Sequence, residues 1–212
     1  MTPEARIGSN WVPVLCSLLL LTASPALAQG FNATWQAGSG LLPDQSCPPW
    51  AHSGSSAAPL AGGILTLSTS TCGGGPGYTQ ADNSLMNPLP DPWVIEMRVR
   101  YVSGSEGSTC GSCGPYRRAI AVQVTRAPNE GIQFMIGQSE MFLTTACSTK
   151  IPASVDTTVS FHTYRIEVRS TGQVDVYYDG VHKLTGNTYQ NAGDNGSQPK
   201  ILWGDGSGAA FG

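Results

Sequence analysis

The chain has 212 residues, with 11 Lys and Arg against 14 Asp and Glu, a net charge of −3 and a charged fraction of 12 %. That fraction is about half the usual share, and the charges are interspersed without a basic patch, so nucleic acid is not an expected partner. The 26 Gly and 15 Pro fall between apolar runs, which reads as turn punctuation in a β-rich protein and excludes a disordered tract.

At the N-terminus, Val12 to Ala23 is apolar but too short to span a bilayer, which takes about 20 such residues. Pro25 breaks the run and Ala26-Leu27-Ala28 follows as a small-x-small cleavage site. Residues 1–28 are therefore expected to be a signal peptide for bacterial-type Sec export, and residues 29–212 a single secreted, extracellular domain. No later segment is long and apolar enough for membrane insertion. Of the 6 cysteines, Cys16 leaves with the signal, and Cys47, Cys72, Cys110, Cys113 and Cys147 remain. Export favours disulfides, and the odd number leaves one thiol over. Cys47 with Cys72 is the favoured pair. Cys110 and Cys147 are further disulfide candidates, with the connectivity open. The C-x-x-C at Cys110 and Cys113 lacks the helix N-terminus that would lower a thiol pKa, so a structural bridge is expected there.

The mature chain alternates with a period of two. Trp93 to Tyr101 places Trp93, Ile95, Met97, Val99 and Tyr101 on one face and Val94, Glu96, Arg98 and Arg100 on the other. Strands are also expected over Ala119–Arg126, Gly131–Gly137, Phe161–Ser170 and Val174–Asp179, with Asp179-Gly180 a hairpin turn. Shorter ones are expected at Phe31–Gln36, Gly63–Ser68, Met141–Thr145, Lys183–Leu184 and Lys200–Trp203. No window has helical spacing. About ten short strands with Gly-rich turns argue for an all-β, two-sheet antiparallel β-sandwich or barrel. If Glu96/Arg98/Arg100 and Arg165/Glu167/Arg169 lie on neighbouring strands, they form a ladder of ion pairs.

The segment Phe161-His162-Thr163-Tyr164-Arg165-Ile166-Glu167-Val168, then Val174-Asp175-Val176-Tyr177-Tyr178-Asp179-Gly180, then Ile201-Leu202-Trp203-Gly204-Asp205, resembles the concanavalin A-like lectin/glucanase superfamily. Its laminin-G-like bacterial secreted members are the nearest in pattern. Leu41-Leu42-Pro43-Asp44, Pro48-Pro49-Trp50 and Gly62 to Leu67 fit the front of such a domain. The resemblance implies a jelly-roll sandwich, often carbohydrate binding, and sometimes a structural calcium or glycoside hydrolysis. It also implies a last strand beyond Gly212, so the chain is expected to be truncated. Hydrolytic members carry an E-x-D-x-x-E pattern, consistent with the two carboxyls about 5–5.5 Å apart that retaining hydrolysis needs. Here no two mature glutamates lie within four residues of each other. Asp175 and Asp179 read as structural.

Serine-hydrolase chemistry needs a Ser beside a His oriented by a carboxylate. His52, His162 and His182 are the only histidines, no G-x-S-x-G occurs, and His162 reads as a packed residue at a strand start. Calcium is the expected metal, with Asp82, Asp194 and Asp205 as loop carboxylates and Asn83 and Asn195 beside them. For sugar stacking and hydroxyl binding the candidates are Trp50, Tyr78, Tyr116 and Tyr189 with Asp82 and Asn83, while Trp93 and Trp203 are expected to fill the core. The leading expectation is a non-catalytic module for extracellular or cell-surface carbohydrate. The alternatives are an adhesive domain without a sugar ligand and a carbohydrate-active enzyme with dispersed carboxylates.

Overall fold

The computed structural model describes residues 34–54, 58–68, 76–81, 91–103, 120–127, 130–145, 149–190 and 200–205. All belong to one compact unit, Asn32–Gly212. The signal peptide expected over residues 1–28 lies outside them, as do Cys72, Cys110, Cys113 and Cys147. Among the described residues no helix is long and apolar enough to cross a membrane.

The chain forms strands β1 (Ala51–Ser53), β2 (Leu60–Ala61), β3 (Ile64–Leu65), β4 (Gly77–Gln80), β5 (Trp93–Val99), β6 (Ile120–Ala127), β7 (Glu130–Ile136), β8 (Glu140–Thr145), β9 (Thr149–Ser154), β10 (His162–Val168), β11 (Gln173–Tyr178), β12 (Val181–Asn187), β13 (Tyr189–Gln190) and β14 (Lys200–Asp205). The larger sheet runs β1-β4-β14-β6-β7-β8-β9, with β13 beside β7; the smaller runs β12-β11-β10-β5; β2 and β3 pair separately. Every pairing among the described residues is antiparallel. The chain passes repeatedly between the two main sheets, giving the expected all-β sandwich of jelly-roll kind.

The inward faces make one core. Trp93 and Ile95 of β5, Tyr164, Ile166 and Val168 of β10, Val174 and Val176 of β11 and Leu184 of β12 are buried in one cluster with Val122, Val124, Ile132, Phe134, Ile136, Met141 and Leu143 of the larger sheet. The rings of Phe134 and Tyr164, 6.0 Å apart, join the sheets. Burying these side chains is the main favourable term, about 1.5–3 kcal/mol for each large one.

The expected ladder is present. β10 lies beside β5, with Arg165 opposite Glu96 and their side chains 3.7 Å apart. It extends to a third strand through Arg169, which lies 3.7 Å from Glu167 and 3.4 Å from Asp175. Asp179 and Gly180 have φ of 48° and 78°, the left-handed pair of a type I′ turn. Several expectations fail: of Gly63–Ser68 only Ile64–Leu65 is a strand, and β1, β2, β4 and β13 were not expected. Residues 34–36 form no strand, and Ala37–Ser39 is a 3-10 turn. β9 was not anticipated because Pro152 interrupts its pattern; it is the last strand of the larger sheet, and proline suits such an edge.

Candidate functional site

Alternation leaves β6, β7, β8, β9, β14 and β4 with a second face, turned away from the core. The pairings align one row across it, polar except at Leu202: Thr79, Leu202, Gln123, Gln133, Thr144 and Lys150. The adjacent row has no polar side chain: Gly77, Gly204, Ala121, Met135, Phe142 and Pro152. Although these strands point them away from the core, Gln123, Gln133, Thr144, Ala121, Met135 and Phe142 are all buried. Ala121, Met135 and Phe142 form a second apolar cluster, apart from the core. The Thr144 hydroxyl is buried with no hydrogen-bond partner.

At one edge, Lys150 donates to Glu140 at 2.6 Å while its ammonium lies 4.7 Å from the Phe142 ring centroid. Glu140 is the only acidic residue on this face whose side chain is described, and its carboxylate is held by that lysine. The face carries amides, a hydroxyl, an ammonium and an apolar floor, groups of the kind that meet the hydroxyls and C–H faces of a polyol. Gln123, Gln133, Thr144, Met135 and Phe142 are closed to solvent in this structure, and Thr79, Leu202 and Lys150 are the partly exposed members of the row.

A second cluster stands where β9 leads into β10. His162 Nδ1 lies 2.7 Å from Asp179 Oδ2, and His162 Nε2 lies 3.2 Å from the Ser160 hydroxyl. The other Asp179 oxygen accepts the Thr163 N–H at 2.9 Å. The His162 ring stacks on Tyr178, 4.7 Å away, and the Tyr178 hydroxyl donates to the Asp156 carbonyl. The hydrogen bond from His162, then that from Thr163 and the charges of His162 and Arg98, hold the Asp179 carboxyl below its ordinary pKa. Asp156 is also held low, chiefly by the Thr158 backbone and hydroxyl. An open cavity of about 550 Å³ adjoins this turn, lined by Gln138, Ser139, Ser154, Val155, Asp156 and Thr158.

The expectation that His162 packs at a strand start holds, but the sequence reading missed its carboxylate partner, 17 residues away. His182 likewise lies 3.4 Å from Asp175. Asp175 itself is buried and takes hydrogen bonds from Thr185 at 2.8 Å and Gln173 at 2.9 Å.

Two candidate sugar-stacking residues are corrected. Trp50 is 8 % exposed and Tyr78 is 1 % exposed. Tyr78 stands opposite both Trp203 and His52 on the inward face. Its ring lies 4.9 Å from Trp203, and Trp50 meets Trp203 edge-on at 6.0 Å. Packed against one another, these rings remove apolar area from water, which favours the buried position. Burial, then the charge of Asp44, raises the Tyr78 pKa. Trp93 fills the core as expected, and Trp203 packs against it half-buried.

Tyr189 lies in β13, paired with Gly131, and its side chain is outside the description. Tyr116, Asp82, Asn83 and Asp194 lie outside the described residues. Asp205 is the last residue of β14, paired with Ile120, rather than a loop residue, and its side chain is outside the description. Among the described residues no three His, Cys, Asp or Glu side chains gather as metal ligands would, so the calcium expectation gains no donor set there. Cys47 is exposed as a free thiol, so the favoured bridge to Cys72 is not formed in this structure.

No family model matches the sequence and no curated protein matches it. Solved structures are similar to it. A Bacillus licheniformis β-glucanase matches at 15 % identity over 69 % of this chain and 65 % of its own, with a TM-score of 0.40. A laminarinase from Flavobacterium sp. UMI-01 matches at 17 % identity over 70 % of this chain and 69 % of its own, with a TM-score of 0.43. A carbohydrate-binding module from Bacillus subtilis matches at 10 % identity over 74 % of this chain and 88 % of its own, with a TM-score of 0.38. The chain thus spans less than two thirds of the β-glucanase. Similarity of this degree says nothing of activity, and the fold class rests on the strand pairing.

Proposed function

We propose that this protein is a secreted module that binds extracellular or cell-surface carbohydrate through the outward face of its larger sheet, without turning it over. The observation that carries the reading is the row of Gln123, Gln133, Thr144 and Lys150, aligned across four adjacent strands beside the Met135 and Phe142 floor. All but Lys150 are buried in this structure, so the reading requires that the row open to admit the sugar. Side-chain amides both donate and accept, as sugar hydroxyls do, and the unpartnered Thr144 hydroxyl supplies an unmet polar group within the row. The hydrolase reading needs two carboxyls about 5–5.5 Å apart; on the described part of this face, Glu140 bound to Lys150 stands alone.

The test is a glycan array with insoluble-polysaccharide pull-down, run with and without a calcium chelator and with an assay for released reducing sugar. Saturable binding to one glycan class without sugar release supports the module, and release of sugar overturns the non-catalytic part. No binding by folded protein overturns the whole reading and favours an adhesive role. Loss of binding on chelation would add a calcium site.

A further inference from the structure

The corner formed by Ser160, His162 and Asp179 has the connectivity of a nucleophile, a base and an orienting carboxylate. Asp179 Oδ2 takes the Nδ1 proton of His162 at 2.7 Å, so in the neutral ring Nε2 carries the lone pair. That lone pair faces the Ser160 hydroxyl at 3.2 Å. Asp179 is itself fixed, because its second oxygen holds the Thr163 N–H and its backbone N–H donates to the Thr163 carbonyl at 2.8 Å. The imidazole is held by its stack on Tyr178, with its side chain 15 % exposed, while Ser160 is open to solvent. None of these residues belongs to the carbohydrate face proposed above.

Two features bear on what could react there. The segment Asp156 to Ser160 begins in the wall of the 550 Å³ cavity, whose Gln138, Ser139, Ser154 and Thr158 present amides and hydroxyls. It is shaped by Asp156, which accepts from the Thr158 N–H at 2.9 Å and the Val159 N–H at 3.4 Å. Next to Ser160, the Phe161 ring lies under the guanidiniums of Arg98 and Arg100 at 5.7 and 5.3 Å. The charge of Arg98 also reaches the corner through Asp179, whose carboxyl it helps hold below its ordinary pKa.

We propose that Ser160, His162 and Asp179 form an acyl-transfer site for carboxylic esters of hydroxyl-rich alcohols, the alcohol part lying in the adjoining open cavity, beside Gln138, Ser139, Ser154 and Thr158. Ser160 Oγ attacks the ester carbonyl as its proton passes to His162 Nε2. The ester C–O bond then breaks, and the leaving alcohol takes that proton, leaving acyl-Ser160. Water attacks the acyl group with its proton passing through Nε2, the Ser160 hydroxyl is restored, and the carboxylic acid is released. Ser160 and His162 are the catalytic residues; Asp179 is a positioning residue.

The experiment treats the mature chain with a fluorophosphonate probe and follows labelling by intact mass and peptide mapping, with p-nitrophenyl acetate turnover measured alongside. Native protein is expected to take one label, at Ser160. S160A, an exposed change that leaves the core untouched, should take none. H162Q and D179N, with folding checked by circular dichroism, should label at least roughly tenfold more slowly, since loss of the orienting carboxylate disables such a base. Absence of label on native protein overturns the proposal. So does label elsewhere that survives S160A, or an unchanged labelling rate in folded H162Q. Glycan binding by the same sample is scored separately, so failure of one reading leaves the other standing.

Discussion

Replacing Phe134 with alanine tests the two-sheet core at its centre. Phe134 is 0 % exposed, lies mid-strand in β7 and reaches the smaller sheet through Tyr164. Truncating a buried Phe costs about 3–5 kcal/mol, as lost transfer energy plus the cavity left between the sheets. Against a usual total of about 5–15 kcal/mol, that removes a large share. For a domain of this size it lowers Tm by about 10 °C. Urea unfolding followed by tryptophan fluorescence should show the midpoint shift with m unchanged. A double-mutant cycle with Y164A should return a coupling of about 1 kcal/mol for the ring pair. Q133A, one residue earlier on the opposite face, should cost less, because it removes nothing from the two-sheet core. If F134A costs less than Q133A, or the coupling is absent, the assignment of faces in β7 is wrong.

Other perturbations follow from the same geometry. In G131A the new Cβ would stand 2.5 Å from the Val124 carbonyl, a backbone atom that cannot swing aside, so a loss of about 2 kcal/mol or more is expected on thermal unfolding. Cys47, an exposed free thiol, should react with Ellman's reagent in the native protein, with the modified peptide mapped to Cys47; protection until reduction would contradict that. Burial pushes the Asp175 carboxyl up, but hydrogen bonds from Thr185, Gln173, Arg169 and His182 outweigh it and hold the pKa low. A carboxylate with a depressed folded pKa stabilises fully above its unfolded pKa and loses that contribution as pH falls through the folded value. D175N should therefore unfold more easily than the native chain at pH 7, with the gap closing below about pH 4; a gap independent of pH would refute the linkage.

Much of the sandwich could be read from the chain because period-two alternation survives wherever one face is wet. β5 and β10 keep Glu96, Arg98, Arg165 and Glu167 on the outside, and the Asp179-Gly180 turn between β11 and β12 is local chemistry. β9 was hidden because Pro152 and the edge position disturb its pattern. Trp50 and Tyr78 were misplaced because each lies in a short segment with no alternating run to assign its face. Only the pairing of β4 with β14 turns Tyr78 inward onto Trp203. The outward row of the larger sheet was missed for a related reason. Gln123, Gln133 and Thr144 look like ordinary polar positions one strand at a time, and only the register aligns them. The link from His162 to Asp179 spans a hairpin, so its two ends are brought together by the pairing of β10 with β11, although the F-H and D-G signatures marked both.

The most direct test of carbohydrate binding is to repeat the polysaccharide pull-down with T144V and Q133A beside the native protein. Thr144 carries a buried, unpartnered hydroxyl, so valine of nearly the same shape should leave the fold stable. Q133A removes the neighbouring amide in the row. The predicted result is that both folded variants lose at least roughly tenfold in affinity, about 1.4 kcal/mol, while F134A loses stability first. Undiminished binding by both folded variants would place the sugar elsewhere and contradict the account.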